Sequence, residues 1–236
     1  MDNKFKIVLF AYNFPHRKTV DFINKIYAVG FSISLILAAN FVKINKPKSA
    51  FNYKAFKSIS PEELAETHKI PYYVVKHNSL KAQNLLKQYE INFGIISGSR
   101  ILSKEIISLV RCGILNFHPG ILPMIRGLDS ILWSIYKEQA IGVTVHLINE
   151  YIDSGLLVQK KTIIIDKNDN LQSLFEKNYQ LQLDLIPISL NLIFNDINCY
   201  NQFDKLEKKF NYNSYMPYGL QLGLKPKIIS YIKKFS

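Results

Sequence analysis

Short apolar runs suited to buried strands alternate with segments of helical periodicity from residue 6 to about residue 195, and this alternation constrains the fold more than any other feature. Parallel neighbours in one sheet must be joined by long crossovers, usually helices, so the pattern implies an α/β fold with a mainly parallel sheet and flanking helices. Residues 6–12 form the first strand-like run, and 17–28 follow with Val20, Ile23, Ile26 and Tyr27 at helical spacing. Residues 31–37, 72–75, 92–97, 113–118, 142–148 and 156–165 read as further strands. Helices are expected over 60–67, 79–89, 103–111, 129–137 and 170–195, the last with Pro187 as a candidate kink. Ser60-Pro61-Glu62-Glu63 has the composition of a capped helix start. No internal repeat is visible.

With 48% hydrophobic and 20% charged residues over 236 positions, the chain falls outside the disordered class and can bury a sizeable core. The longest apolar stretch, 28–42, is broken by Gly30, Ser32, Ser34 and Asn40 and is shorter than the roughly 20 residues of a membrane helix, so no membrane span is expected. The N-terminal run lacks a secretory cleavage pattern. Cys112 and Cys199 form no metal-type or redox-type pair, so a disulfide framework and a metal site are not expected and a cytoplasmic location is. The formal charge is +12, and seven Lys against one Glu between residues 205 and 236 carry half of the excess. That tail fits either ordinary surface solvation or an anionic partner. From residue 196 the composition turns to Tyr, Phe, Asn and Lys with Pro217, Gly219, Gly223 and Pro226. This divides the chain into a main domain, 1–195, and a short basic, aromatic C-terminal appendage, 196–236. Its rings suit packing on the domain, covering a partner subunit in a dimer, or contact with a nucleotide.

Chemistry concentrates at Gly113-Ile114-Leu115-Asn116-Phe117-His118-Pro119-Gly120, an apolar strand that turns polar just before a break. The strand period of two puts Asn116 and His118 on one face and Leu115 and Phe117 on the other. Pro119-Gly120 takes the chain out of the sheet there, and open α/β sheets bind ligands outside the carboxyl ends of their strands. An isolated Asn-x-His equally fits a hydrogen-bonded strand end. Downstream, the strand 142–148 leads through Asn149-Glu150-Tyr151-Ile152 to Asp153-Ser154-Gly155, a turn sequence. A carboxylate delivered by that turn would hold the His118 imidazole and favour its charged form.

Four elements in order resemble the formyltransferase family: Asn116-Phe117-His118-Pro119, Leu122-Pro123-Met124-Ile125-Arg126-Gly127, Gly142-Val143-Thr144-Val145-His146 and Asp153-Ser154-Gly155. The similarity is strong from about residue 93 to 166 and weaker, through the α/β pattern, to about 195. Family members often carry Ser in place of Gly120 and Thr in place of Ser154. The resemblance implies a Rossmann-like catalytic domain over 1–195, 10-formyltetrahydrofolate as co-substrate without a metal, and catalytic roles for Asn116, His118 and Asp153. It also implies folate contacts from the loops Ser99-Arg100-Ile101-Leu102 and Asn149-Glu150-Tyr151-Ile152, with Arg100, Ile101, Leu102, Tyr151 and Ile152 as cofactor-binding residues. His146 reads as a structural strand residue.

Three branches of the family compete for the acceptor: a nucleotide-linked amino sugar, the aminoacyl end of initiator tRNA, and a ribotide of purine synthesis. Ribotide-type members carry a Gly-rich phosphate turn after the first strand, whereas this chain has Ala11-Tyr12-Asn13-Phe14-Pro15-His16-Arg17. Members acting on tRNA usually continue into a basic β-barrel, for which the stretch after residue 195 is expected to be too short. The Arg126-Gly127-Leu128-Asp129 loop and aromatic tail look more like the sugar N-formyltransferases, implying a homodimer that acts on a nucleotide-linked amino sugar for O-antigen or lipopolysaccharide synthesis. Asn13, His16, Arg17, Met124 and Arg126 are then the acceptor candidates. A tRNA formyltransferase, or a non-catalytic RNA-binding protein on the same fold, are the alternatives.

Overall fold

The computed structural model describes residues 5–52, 59–195, 197–206 and 211–236. The chain runs through β1 (Ile7–Tyr12), α1 (Arg17–Ala28), β2 (Leu35–Ala39), α2 (Pro61–Thr67), β3 (Tyr72–Val74), α3 (Leu80–Gln88), β4 (Phe93–Ile96), α4 (Lys104–Leu109), β5 (Ile114–His118) and α5 (Ser130–Tyr136). It continues through β6 (Gly142–Leu147), β7 (Gly155–Thr162), α6 (Leu171–Asn195), a 3-10 turn (Ile197–Gln202), β8 (Lys205–Leu206) and α7 (Tyr218–Phe235). The described strands form one sheet in the order β3-β2-β1-β4-β5-β6-β7-β8. Pairing is parallel from β3 to β5 and antiparallel from β5 to β8. This is the mainly parallel, Rossmann-like α/β sheet with flanking helices.

The parallel strands read as continuous apolar runs because helices cover both of their faces. Ile7, Leu9 and Ala11 lie in one core with Phe22, Ile23 and Ile26 of α1 and Leu185, Ile186, Leu190 and Ile193 of α6. Val8, Phe10, Leu35 and Leu37 lie on the opposite side with Ala82, Leu85 and Leu86 of α3 and Ile106 of α4. Two helix starts are capped, the first as its sequence suggests: Ser60 Oγ accepts from the Glu62 N–H at 3.2 Å, and Ser79 Oγ accepts from the Ala82 N–H at 3.2 Å.

Two strands differ from the sequence expectation. The second occupies Leu35–Ala39 instead of 31–37, because Gly30 turns with φ +83° and Ser34 is bonded to Ile7 through both its N–H and its hydroxyl. Pairing with β1 therefore starts only at Val8↔Leu35. Strand β7 stops at Thr162, three residues early, because Ile165 is drawn into a third cluster and the chain reverses through a turn closed by the Asp169 N–H on the Asp166 carbonyl. Helix α6 runs unbroken through Pro187, flanked by the buried Leu185, Ile186 and Leu190.

The segment after residue 195 is tied into the domain. Strand β8 pairs with β7, the Tyr200 hydroxyl donates to the Cys112 carbonyl at 2.7 Å, and α7 buries Leu224, Tyr231 and Ile232 with Ile131, Leu132 and Ile135 of α5. No described helix is long and apolar enough to cross a membrane. Phe22 is fully buried and meets Phe117 edge-on at 5.3 Å, just behind the end of β5. Phe22→Ala is expected to cost about 3–5 kcal/mol of unfolding free energy, read from denaturant titration.

Candidate active site

Antiparallel pairing of β5 with β6 sets Asn116 directly opposite His146 and His118 opposite Thr144. Thr144 anchors the loop that leaves β5: its hydroxyl donates to the Gly120 carbonyl at 2.7 Å and accepts from the Leu122 N–H at 3.0 Å. The turn after β6 then returns Asp153 to the end of β5. It does so through two residues with positive φ, Asp153 at +46° and Gly155 at +112°. A Cβ on Gly155 would lie 2.0 Å from the Leu147 carbonyl oxygen, so glycine is required for the turn to close against its own strand.

The carboxylate is largely buried, its side chain 11% exposed, and multiply held. Asp153 Oδ1 lies 3.3 Å from His118 Nδ1, and Oδ2 accepts from the Gly127 N–H at 2.5 Å. Burial pushes the Asp153 carboxyl up, but the facing imidazole, its hydrogen bond and the Gly127 N–H outweigh that, and the net effect holds it below its ordinary value. On its other side His118 Nε2 is 2.8 Å from the Ile125 carbonyl, and the ring is 3% exposed. A Cβ on Gly120 would come within 2.9 Å of His118 Nε2 and 2.8 Å of that carbonyl, so the missing side chain admits this contact.

His146 orders the remaining member. It is fully buried, its Nδ1 faces the Ser154 carbonyl at 2.9 Å, and its Nε2 faces Asn116 Nδ2 at 3.1 Å. Burial first, and the neighbouring His118 second, push its pKa down to about 4. The neutral ring therefore carries its hydrogen on Nδ1 and accepts on Nε2, which fixes the half-buried Asn116 amide with one N–H on His146 and the other free to point outward. The sequence marked His146 as a structural strand residue; its link to Asn116 follows only from the β5–β6 register.

A third support comes from the C-terminal segment, at Asn213. Its backbone N–H and its side-chain Nδ2 both donate to the Arg126 carbonyl at 2.8 Å, its carbonyl accepts from the Leu128 N–H at 2.8 Å, and its Oδ1 accepts from Lys137 Nζ at 2.7 Å. The Gly127 N–H that holds Asp153 belongs to the loop so clamped. Gly127 has φ +90°, and a Cβ there would sit 2.1 Å from the Asn213 carbonyl oxygen. Nothing local in the sequence ties residue 213 to residue 127.

Of the expected cofactor residues, Ile101 is 65% exposed and Arg100 exposed beside it, with Arg100 Nη2 reaching the Val42 carbonyl at 3.4 Å, while Leu102 is core. Tyr151 is exposed with its N–H on Asn149 Oδ1 at 3.0 Å, and Ile152 offers its carbonyl to Arg126 Nη2. Of the expected acceptor residues, Met124 is exposed, while Arg126 is buried and braces the triad turn through Ile152. Arg17 is turned onto α6, where it pairs with Glu176 at 3.0 Å and covers the Tyr179 ring at 4.2 Å, because its position on α1 faces that helix. Asn13 Nδ2 donates to Asn40 Oδ1 and its Oδ1 accepts from the Tyr72 hydroxyl, both at 2.9 Å. His16 Nδ1 meets Thr19 Oγ1 at 2.8 Å, and burial, then Lys18, push its pKa to about 4. Lys18, not singled out in the sequence, reaches the Phe117 carbonyl at 3.4 Å and is pushed down to about 8 by burial. Beside this edge opens a cavity of about 920 Å³ that receives His16, Arg100 and Ile101. Among the described residues no cluster of three His, Cys, Asp or Glu side chains forms a metal site.

The fold and site define an α/β protein with an amide, an imidazole and a carboxylate gathered at the open end of its sheet. Residues 36–189 match the formyl transferase family model, and the chain belongs to that family. It is 37% identical over 94 residues to methionyl-tRNA formyltransferase of Wolbachia pipientis, covering 39% of this chain and 31% of that protein. It is 30% identical over 156 residues to the bifunctional polymyxin resistance protein ArnA of Wigglesworthia glossinidia brevipalpis, covering 63% of this chain and 23% of that protein. The chain thus spans about a third or less of the length of these curated relatives. Among solved structures, phosphoribosylglycinamide formyltransferase from Bacillus halodurans superposes with a TM-score of 0.64 at 21% identity, over 83% of this chain and 99% of that one. A sugar N-formyltransferase from Shewanella sp. gives 0.60 at 23% identity, over 89% and 76%.

Two outcomes follow. His146 has a folded pKa of about 4 against 6.5 unfolded, so its contribution to stability is complete above 6.5 and is lost as pH falls toward 4. Between pH 7 and pH 5 this amounts to about 2 kcal/mol, and His146→Gln is expected to flatten the pH dependence of unfolding free energy by that amount. Asn213→Ala, which removes the Nδ2 bond to the Arg126 carbonyl and the Oδ1 acceptor of Lys137 while the backbone bonds of residue 213 remain, is expected to cost about 1–3 kcal/mol in the same measurement.

Proposed function

We propose that the chain transfers a formyl group from 10-formyltetrahydrofolate to the amino group of a nucleotide-linked amino sugar. The observation that carries formyl transfer is the return of Asp153, from the turn after β6, to His118 and its strand neighbour Asn116 at the carboxyl end of β5. The folate supplies the formyl carbon as an electrophile. The exposed Ile101 beside the Arg100 guanidinium, with the Tyr151 turn nearby in sequence to the triad, fits a ligand of flat apolar rings ending in carboxylates.

As the amine attacks, negative charge gathers on the formyl oxygen, and donors aimed there in advance lower the barrier. Asn116 provides an uncharged N–H, held in place by His146. His118, braced by Asp153, provides the second donor and moves a proton from the attacking amine toward the departing folate nitrogen. In the present arrangement its Nε2 lies on the Ile125 carbonyl, so this role requires the loop 119–126 to shift.

The sugar reading is favoured over the ribotide by the turn after β1, which has no glycine between residues 11 and 17, and where His16 bonds Thr19 at the start of α1. A second reading, transfer to aminoacyl-tRNA, draws on the 37% identity to methionyl-tRNA formyltransferase over 94 residues and on the +12 charge. The protein is expected to consume 10-formyltetrahydrofolate with aminodeoxy-sugar nucleotides and not with charged initiator tRNA; turnover on tRNA alone would reverse the assignment. Asn116→Ala and Asp153→Ala should each lower kcat about a hundredfold to a thousandfold with the fold retained. Near-normal turnover in either removes that residue from the chemistry.

A further inference from the structure

Strand β4 stops short of the end of β5, and the consequence falls on the peptide that joins Phe117 to His118. The β4–β5 pairing runs from Gly94↔Ile114 to Ile96↔Asn116, and the Gly94 N–H donates to the Gly113 carbonyl at 3.0 Å. A parallel ladder advances by two residues on each side, so the donor due at the Phe117 carbonyl is the Gly98 N–H. That N–H is turned instead onto the Phe10 carbonyl at 3.0 Å, together with the Ser97 N–H at 3.1 Å. Strand β6 supplies no replacement. The Ile148 N–H bonds the Ile114 carbonyl, so by antiparallel alternation residues 114, 116 and 118 exchange bonds with β6 while the Phe117 carbonyl faces the β4 side.

Lys18 reaches into the gap so left. It stands in the first turn of α1, with Nζ 3.4 Å from the Phe117 carbonyl and 5.1 Å over the Phe22 ring. Several effects oppose a cation in this place. The side chain is half-buried, it lies at the positive end of the helix dipole, and among the described residues no carboxylate pairs with it. The carboxylates nearby are taken: Asp21 and Glu176 by Arg17, and Asp153 by His118. What the ammonium gains in return is the one backbone acceptor that the end of β4 leaves without a strand partner.

We propose that Lys18 is a positioning residue for formyl transfer, its ammonium completing the open side of the ladder at the Phe117 carbonyl and so holding His118 and Asn116 in their relative placement during the reaction. This rests on formyl transfer at the end of β5 and not on the identity of the acceptor. The need for it arises when the loop 119–126 shifts. His118 then gives up the Ile125 carbonyl, and its main chain is held by β6 on one side and by Lys18 on the other. A charge-assisted hydrogen bond is roughly twice as strong as a neutral one, so the ammonium is the gripping form. Burial pushes this amine down to about 8, and the grip weakens as pH rises through that value. The charged and titratable groups on the elements packed around it are His16, Arg17 and Asp21 of α1, Glu176 and Tyr179 of α6, and His118 with Asp153 at the end of β5. His16, pushed down to about 4, is already neutral at pH 7, and Tyr179 is held protonated by burial and by its bond to Asp21.

The test compares the full chain with Lys18→Met and Lys18→Arg. In the wild type the Phe117 carbonyl carbon, read by NMR through the His118 amide, should titrate with a midpoint of about 8, and in neither variant should it do so. Consumption of 10-formyltetrahydrofolate is then followed with an aminodeoxy-sugar nucleotide and with charged initiator tRNA, using whichever is accepted. Lys18→Met should lower kcat about tenfold at pH 7 with KM within about twofold, and Lys18→Arg should return kcat to within about twofold of the wild type. Arginine stays charged while the acceptor amine titrates alike in both proteins, so the kcat ratio of Lys18→Arg to wild type should rise about fivefold between pH 7 and pH 9. A Phe117 carbon that does not titrate, a flat ratio, or Lys18→Met with wild-type kcat overturns the positioning role. A raised KM with unchanged kcat overturns it too and makes Lys18 a ligand contact. Should Lys18→Met fail to fold, the carbon titration and the Lys18→Arg ratio decide by themselves. A wild type that transfers formyl to neither acceptor overturns formyl transfer itself, and the role of Lys18 falls with it even where the carbon titrates.

Discussion

The structure of the site depends on one largely buried carboxylate. Asp153 sits on a left-handed backbone at the end of a turn, away from water, where an isolated negative charge would be costly. It is tolerated because His118 and the Gly127 N–H face its two oxygens. Each of those partners belongs to a different segment, so satisfying the one charge pins three pieces of chain: the end of β5, the turn after β6 and the loop before α5. Ser154, the next residue, then fixes the tautomer of His146 through its carbonyl, and His146 fixes the amide of Asn116. The proposed donors are thus coupled through hydrogen bonds that leave little freedom in their relative positions.

The C-terminal segment acts on this arrangement from outside. It extends the sheet with β8, shares a core with α5 through α7, and between them clamps residues 126–128 through Asn213. Composition alone marks residues 196–236 as a basic appendage, yet packing gives the segment a place in the domain and, with Tyr215, in the wall of the neighbouring cavity. On α7 the four lysines are exposed, and two of them still add to the joint with α5: Lys227 lies over the Tyr136 ring at 5.0 Å and Lys234 pairs with Glu138 just beyond that helix.

Much of the fold was legible because it rests on local or periodic signals. Strands β1, β4 and β5 announce themselves as apolar runs, α1 begins and ends where the spacing of Val20, Ile23 and Ile26 suggests, and Ser60 marks a helix start by its hydrogen-bonding chemistry. The limits of β2 and β7 were not legible, since they are set by where the partner strand offers free backbone groups and not by where apolarity begins. Arg17 and Arg126 show the same limit among side chains: both read as cations near a ligand, and both are taken up by protein partners, Glu176 and the Ile152 carbonyl.

What the amino-acid sequence determined by itself was the α/β class, the presence of a polar strand end at Asn116 and His118, and the family to which the motifs belong. These follow from the period of two in a strand, the period of a helix and the conformational demands of Pro and Gly, all of which act within a few residues. Only the tertiary structure decided that His146 orients Asn116, that Asn213 supports the loop under Asp153, and that aromatic and cationic side chains from five segments line one cavity. Those relations join residues up to about 200 positions apart, and they exist only after burial of the two sheet faces has brought the segments into register.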